Sequence, residues 1–120
     1  MTGQVDDQLR ALVRVPVAAS RDGPRQEIVA WVDTAFNGGL TIPRALADSL
    51  ELPQESSIEA VLADGRTVAL ETFGCDLDWF GGTYQTQVAA SGGAFPLLGT
   101  LLLADRRLAI DYAAKTVELT

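Results

Sequence analysis

Two glycine-centred turns, Ala63-Asp64-Gly65-Arg66 and Phe80-Gly81-Gly82-Thr83, each stand between short apolar or alternating runs, and they constrain the fold most. Asp-Gly and Gly-Gly between strand-like segments are hairpin signals, because their residues accept the positive φ that a tight β-turn needs. The pattern predicts strands over 57–62 and 67–70 around the first turn, and over 73–79 and 84–90 around the second. Upstream, Leu9, Ala11, Val13, Val15 and Val17 alternate with Arg10, Leu12, Arg14 and Pro16, which is the period of a strand. Pro16 cannot donate to a ladder and predicts an edge there. The turn cluster Ser20–Pro24 then leads to an apolar strand, Ile28 to Val32. Pro43 suits the first position of a helix over 43–51, with Ile42, Leu46 and Leu50 four residues apart and Pro53 closing it. Thr100 to Ala104 reads as a helical turn, and 107–112 with 116–119 as a last strand pair. Short strands at regular spacing with so little helix predict an all-β, closed or sandwiched architecture. At 120 residues it is a single domain over 1–120, with residues 1–8 as a loose N-terminal segment.

Composition removes several function classes. The chain has no His, so Ser-His and Cys-His nucleophilic pairs and His-ligated metals are excluded. One cysteine, Cys75, rules out an internal disulfide or a cysteine zinc cluster and reads as a packed, reduced thiol. Nine basic against 16 acidic residues, a net charge of −7, argues against nucleic acid as partner. The polar, acidic start and the lack of a long apolar run predict no membrane partner and a cytoplasmic location. No cofactor and no metal are expected, and Asp76 and Asp78 read as solvated turn residues. Trp31 and Trp79 read as core.

Carboxylates are what remains for chemistry, and Asp33 is the position to explain. It ends the run Ile28-Val29-Ala30-Trp31-Val32, so a strand delivers a carboxylate from apolar surroundings into a glycine-rich turn. Carboxyls so placed are candidate acids and bases. The plain alternative is that Asp33 opens a turn and binds its own backbone.

The stretch Ala30-Trp31-Val32-Asp33-Thr34-Ala35-Phe36-Asn37-Gly38, followed by Leu40-Thr41-Ile42-Pro43, resembles the active-site segment of retropepsin-like, single-domain aspartic proteases. Pro96-Leu97-Leu98-Gly99-Thr100-Leu101-Leu102-Leu103 is similar to the second half of that family's signature. Leu62 to Val68 stands in the place of its flap, and 108–112 with 117–119 are similar to the closing strands of small microbial members. Ala35 departs from the family's Gly, and Leu101 from its Asp or Asn. The resemblance implies a small closed β-barrel with one or two short helices. It implies catalysis by Asp33, Thr34 and Ala35, support from Leu98 and Gly99, and a substrate-binding flap of Ala63, Asp64, Gly65 and Arg66. It also implies a homodimer acting on a peptide or protein substrate, since each chain has one Asp-Thr motif and peptide hydrolysis needs two carboxylates around one water. The reading is an aspartic endopeptidase. The alternatives are an inactive retropepsin-fold dimer that binds extended peptides or serves as an interaction module, and a monomeric β-barrel adaptor.

Overall fold

In β2 (Ala11–Ala18) the alternation builds a barrel wall: Ala11, Val13, Val15 and Val17 are buried and Arg14 is exposed. The computed structural model describes residues 1–120 throughout. β2 runs antiparallel to β3 (Gln26–Val32), and its far end, Val17 and Ala18, pairs with Leu77 and Asp76 of β6 (Thr67–Trp79). That short second pairing closes a ring. Passing from β3, the ring continues through β8 (Leu97–Leu98), β4 (Leu40–Pro43) and β7 (Gly82–Ser91) back to β6. It is a six-stranded barrel, mixed because β3–β8 and β4–β7 are parallel. Closure satisfies backbone groups that an open sheet would leave at its edges. Val15, Ala30, Val88 and Leu98, each 0% exposed, lie at its centre.

Two appendages leave the ring. β5 (Gln54–Val61) pairs with β6 alone and forms a projecting hairpin. On the other side, β1 (Thr2–Val5) adds to β2, followed by β10 (Thr116–Leu119) and then β9 (Leu108–Asp111). The helices are short: α1 (Arg44–Ser49) follows β4, and α2 (Thr100–Leu103) follows β8.

The structure corrects several boundaries. Residues 2–5 are not loose: β1 lies between β2 and β10, and the Met1 ammonium donates to the Leu119 carbonyl at 2.8 Å. Leu9 is outside the strand, at φ 63° and exposed, because Leu9 N–H and Asp6 O close a tight turn at 3.0 Å. Pro16 sits opposite Glu27, in the gap between the β1 pairing (Ala11 to Val13) and the β6 pairing (from Val17). Pro43 is the N-cap rather than the first helical residue. Residues 67–70 and 73–79 are one strand, since nothing in Glu71 or Thr72 breaks the ladder. Thr72 and Phe73 pair with both β5 and β7, and mark where the projecting hairpin leaves the barrel. Phe80 and Gly81 make the second turn, both at positive φ (48° and 81°), so Trp79 pairs directly with Gly82. Asp76 and Asp78 therefore belong to a strand and not to a turn. Asp78 accepts hydrogen bonds from Arg25 Nε at 3.2 Å and from the Thr83 hydroxyl at 2.8 Å, which hold its carboxyl below the usual range.

Candidate active site

Asp33 gets its direction from the ladder. Trp31 and Val32 pair with Leu97 and Leu98, and the Asp33 N–H still donates to the Leu98 carbonyl at 2.9 Å. The alternation therefore continues one residue past β3: Ala30 and Val32 point into the barrel, Trp31 and Asp33 away from it. Asp33 is half-buried, while Thr34 and Ala35 are exposed. The Ala35 N–H donates to Asp33 Oδ1 at 2.9 Å and the Phe36 N–H to the Asp33 carbonyl at 3.2 Å, so the carboxylate is held by its own turn. Ala35 is not among the residues at positive φ, so its extra methyl leaves this bond intact. Asp33 Oδ2 takes no hydrogen bond within the chain, and faces outward.

Leu98 and Gly99 lie under this turn. Leu98 is fully buried, and Gly99 N–H donates to the Gly39 carbonyl at 2.7 Å. Thr100 N–H reaches the Phe36 carbonyl at 2.8 Å and Leu101 N–H the Gly38 carbonyl at 3.1 Å, so the start of α2 grips the loop after Asp33. A Cβ on Gly99 would lie 2.6 Å from the Phe36 carbonyl oxygen and against that of Gly38, so only glycine permits this approach. These main-chain bonds do the supporting at Leu101, whose side chain is 69% exposed and needs no polar group.

Ala63, Asp64, Gly65 and Arg66 form the tip of the β5–β6 hairpin. Leu62 N–H donates to the Arg66 carbonyl at 2.8 Å, Gly65 stands at φ 86°, and Asp64 accepts from the Arg66 N–H at 3.0 Å and its Nε at 2.6 Å. Those contacts, the Arg66 N–H first, hold the Asp64 carboxyl below its ordinary range. The hairpin is exposed along both faces, including Ile58, Val61 and Leu62. No hydrogen bond or ion pair joins its tip to the Asp33 turn. Asp33, Thr34, Ala35, Leu98 and Gly99 thus form one cluster and the four flap residues another.

Trp79 is core, but Trp31 is not: it is 39% exposed, on the face that Asp33 shares. Its spacing of two residues from Asp33 could have revealed this. Phe95 packs edge-to-face on Trp31, and Arg10 lies over both rings, a grouping that no local sequence pattern announces. Cys75 is buried, and burial pushes its thiol up to about 11. No helix is long and apolar enough to cross a membrane.

No protein-family model matches the sequence, and no curated protein matches it. Solved structures do. A retropepsin-like aspartic protease from Rickettsia conorii aligns over 99% of this chain and 88% of its own, at TM-score 0.61 and 12% identity. The EIAV protease, solved with the inhibitor HBY-793, aligns over 83% of this chain and 90% of its own, at TM-score 0.57 and 17% identity. A foamy viral protease–reverse transcriptase, solved with an RNA/DNA hybrid, aligns over 83% of this chain and 13% of its own, at TM-score 0.53 and 14% identity. The chain has the retropepsin-like fold: a closed, mixed barrel with two short helices.

Proposed function

We propose that this chain is an aspartic endopeptidase that works as a homodimer, with one Asp33 from each copy. The observation that carries the reading is the state of the Asp33 carboxylate: Oδ1 is fixed by the Ala35 N–H, while Oδ2 is unpartnered on an outward face. A carboxylate in an ordinary turn can look the same from one chain. The retropepsin-like fold supports the paired reading, since a chain with one Asp-Thr motif can supply two carboxylates only across a two-fold axis. Two Asp33 carboxyls in near contact would hold one proton between them, leaving one group to draw a proton from a bound water and the other to protonate the substrate carbonyl. Thr34, exposed beside Asp33, would bond to the partner's turn. The β5–β6 hairpin would close over an extended peptide and add its backbone to it, with Val61 and Leu62 supplying apolar grip.

The experiment compares the wild type with Asp33→Asn on a mixture of unfolded proteins, from about pH 3.5 to about pH 7. Cleavage sensitive to pepstatin and abolished in Asp33→Asn is the expected result. Peptide binding without cleavage in either protein would replace the enzyme with a binding module. A solution structure with the two Asp33 carboxylates more than about 10 Å apart would remove the dyad.

A further inference from the structure

The face that carries Asp33 continues across the barrel to the projecting hairpin. Trp31 pairs with Leu97, Leu97 with Thr41, Thr41 with Ala89 and Ala89 with Thr72, and paired residues share one side of a sheet. Beyond Thr72 the same phase takes in Leu70 and Val68, opposite Ile58 and Ala60. These four make an apolar side of the hairpin, and it looks the same way as Asp33. From Thr72 to Arg66 the hairpin is about 20 Å long, and the four strand spacings from β6 to β3 come to about 19 Å. A bend at Thr72 is enough to lay that side over Trp31.

The root of the hairpin is built to bend. Gln54 pairs with Phe73 and Ser56 with Thr72, so Glu55 is an extra residue and the ladder is interrupted there. The Thr72 hydroxyl bridges the interruption. It donates to the Ser56 carbonyl at 3.1 Å, accepts the Ser56 N–H at 3.2 Å and lies 3.1 Å from the Ser56 hydroxyl. Glu71 lies on the opposite side from Thr72. It has the phase of Phe73, which points into the barrel, and it stands just past the mouth that α1 covers with the buried Ala47. Arg44, the first residue of α1, pairs with the Glu71 carboxylate, donates from Nε to Asp48 Oδ1 at 3.2 Å and lies 5.5 Å from the Phe73 ring centroid. A swing toward the Asp33 face carries Glu71 away from α1 and parts it from Arg44.

We propose that Arg44 is a positioning residue that tethers the hairpin from behind and holds it off the Asp33 face, with the Ser56–Thr72 hydroxyl pair as the pivot. Closure requires the Arg44–Glu71 pair to part, so this pair sets the share of closed hairpin before any peptide arrives. Only the effect on substrate binding rests on the peptidase reading. The tether and the pivot stand on the geometry of one chain.

Trp31 is the reporter for the test. It is 39% exposed on the side that closure covers, whereas Trp79 is 6% exposed in the core. Acrylamide quenching of tryptophan fluorescence in the full chain, with Trp31→Phe to subtract Trp79, reads how open the hairpin is. Arg44→Gln should shift the ratio of open to closed about threefold toward closed, the scale of an exposed ion pair, and so lower Trp31 quenching. The swap of Arg44→Glu with Glu71→Arg should restore it. Raising NaCl from about 50 mM to about 500 mM should lower quenching in the wild type and leave Arg44→Gln unchanged. Equal quenching in wild type and Arg44→Gln, or no recovery in the swap, would overturn the tether. Thr72→Val should speed hydrogen exchange of the Ser56 amide about tenfold, with Thr72→Ser restoring protection; equal exchange in Thr72→Val and wild type would overturn the pivot. With a peptide substrate, Arg44→Gln should lower KM about threefold and leave kcat within about twofold, because more of the hairpin is already closed. A raised KM would overturn the effect on binding. If wild-type protein cleaves no peptide, the peptidase reading falls, and quenching alone decides the tether.

Discussion

Gly99→Ala tests whether the α2 start and the Asp33 turn are one rigid unit. The added Cβ would lie 2.6 Å from the Phe36 carbonyl oxygen and also against the carbonyl of Gly38, and both oxygens accept bonds from Thr100 and Leu101. Neither is the end of a flexible side chain. The loop must therefore move by about an ångström, which stretches the bonds from Gly99, Thr100 and Leu101 beyond useful length. At about 1 kcal/mol for each such bond, the loss is about 3 kcal/mol. Unfolding entropy of about 2.1 cal/mol/K per residue gives roughly 0.25 kcal/mol/K for a chain this size, so Tm should fall by about 12 °C. Gly39→Ala is the internal control. There a Cβ would sit 3.7 Å from Leu102 and 3.9 Å from Leu101, ordinary contact distances, and the change should be neutral or stabilise by up to about 1 kcal/mol. Thermal unfolding by circular dichroism reads both variants. A Gly99→Ala Tm within about 2 °C of wild type, or equal shifts in the two variants, would refute the close approach.

Leu98→Ala leaves a cavity at the fully buried base of the site and should cost about 2–5 kcal/mol, read from urea midpoints. Cys75, with its thiol pushed up to about 11 from 9.0 by burial, should be alkylated at least about a hundredfold more slowly in the native protein than in the urea-unfolded chain; comparable rates would place it at the surface. Asp78 has its carboxyl depressed by Arg25 first and by Thr83 next, so the native state binds its proton less readily than the unfolded chain. Its contribution is present above a pH of about 4 and is lost as pH falls through the depressed value. Arg25→Gln should therefore lose less stability than wild type between pH of about 5 and pH of about 2, and parallel urea midpoints for the two proteins would contradict this.

Much of the fold was legible because its hairpins carry their own chemistry. Gly65 and Gly81 stand at positive φ in the two turns that Asp-Gly and Gly-Gly mark. What local pattern could not reveal were features set by distant partners. β6 runs unbroken through Glu71 and Thr72 because its lower half pairs with β5 and its upper half with β7. Residues 2–5 become a strand because β10, more than a hundred positions away, supplies the other half of the ladder. Pro43 shifts out of the helix by one position because β4 extends to meet Ser91. Asp78 lies one pair short of the hairpin turn, opposite Thr83, and draws its cation from Arg25, 53 positions away in the chain.

The candidate site divides along the same line. The Asp33 turn is visible in sequence because a strand, a carboxylate and a glycine-rich loop follow one another, and Ala35 keeps the bond that its departure from glycine put in question. Leu101 stands where the family it resembles has Asp or Asn: a polar residue there is one way to support the helical turn, and main-chain bonds to Phe36, Gly38 and Gly39 are another, which side-chain identities do not display. Trp31 reads as core because a tryptophan in an apolar run looks buried until the phase of the strand is fixed. Once Ala30 and Val32 are inside, Trp31 must be outside with Asp33. That phase argument also sets what a second copy would have to do. An outward Asp33 with one oxygen unpartnered acquires its chemistry only from what is placed against that face. In the peptidase reading that is the same turn from another chain, so the complete site would exist only in the dimer.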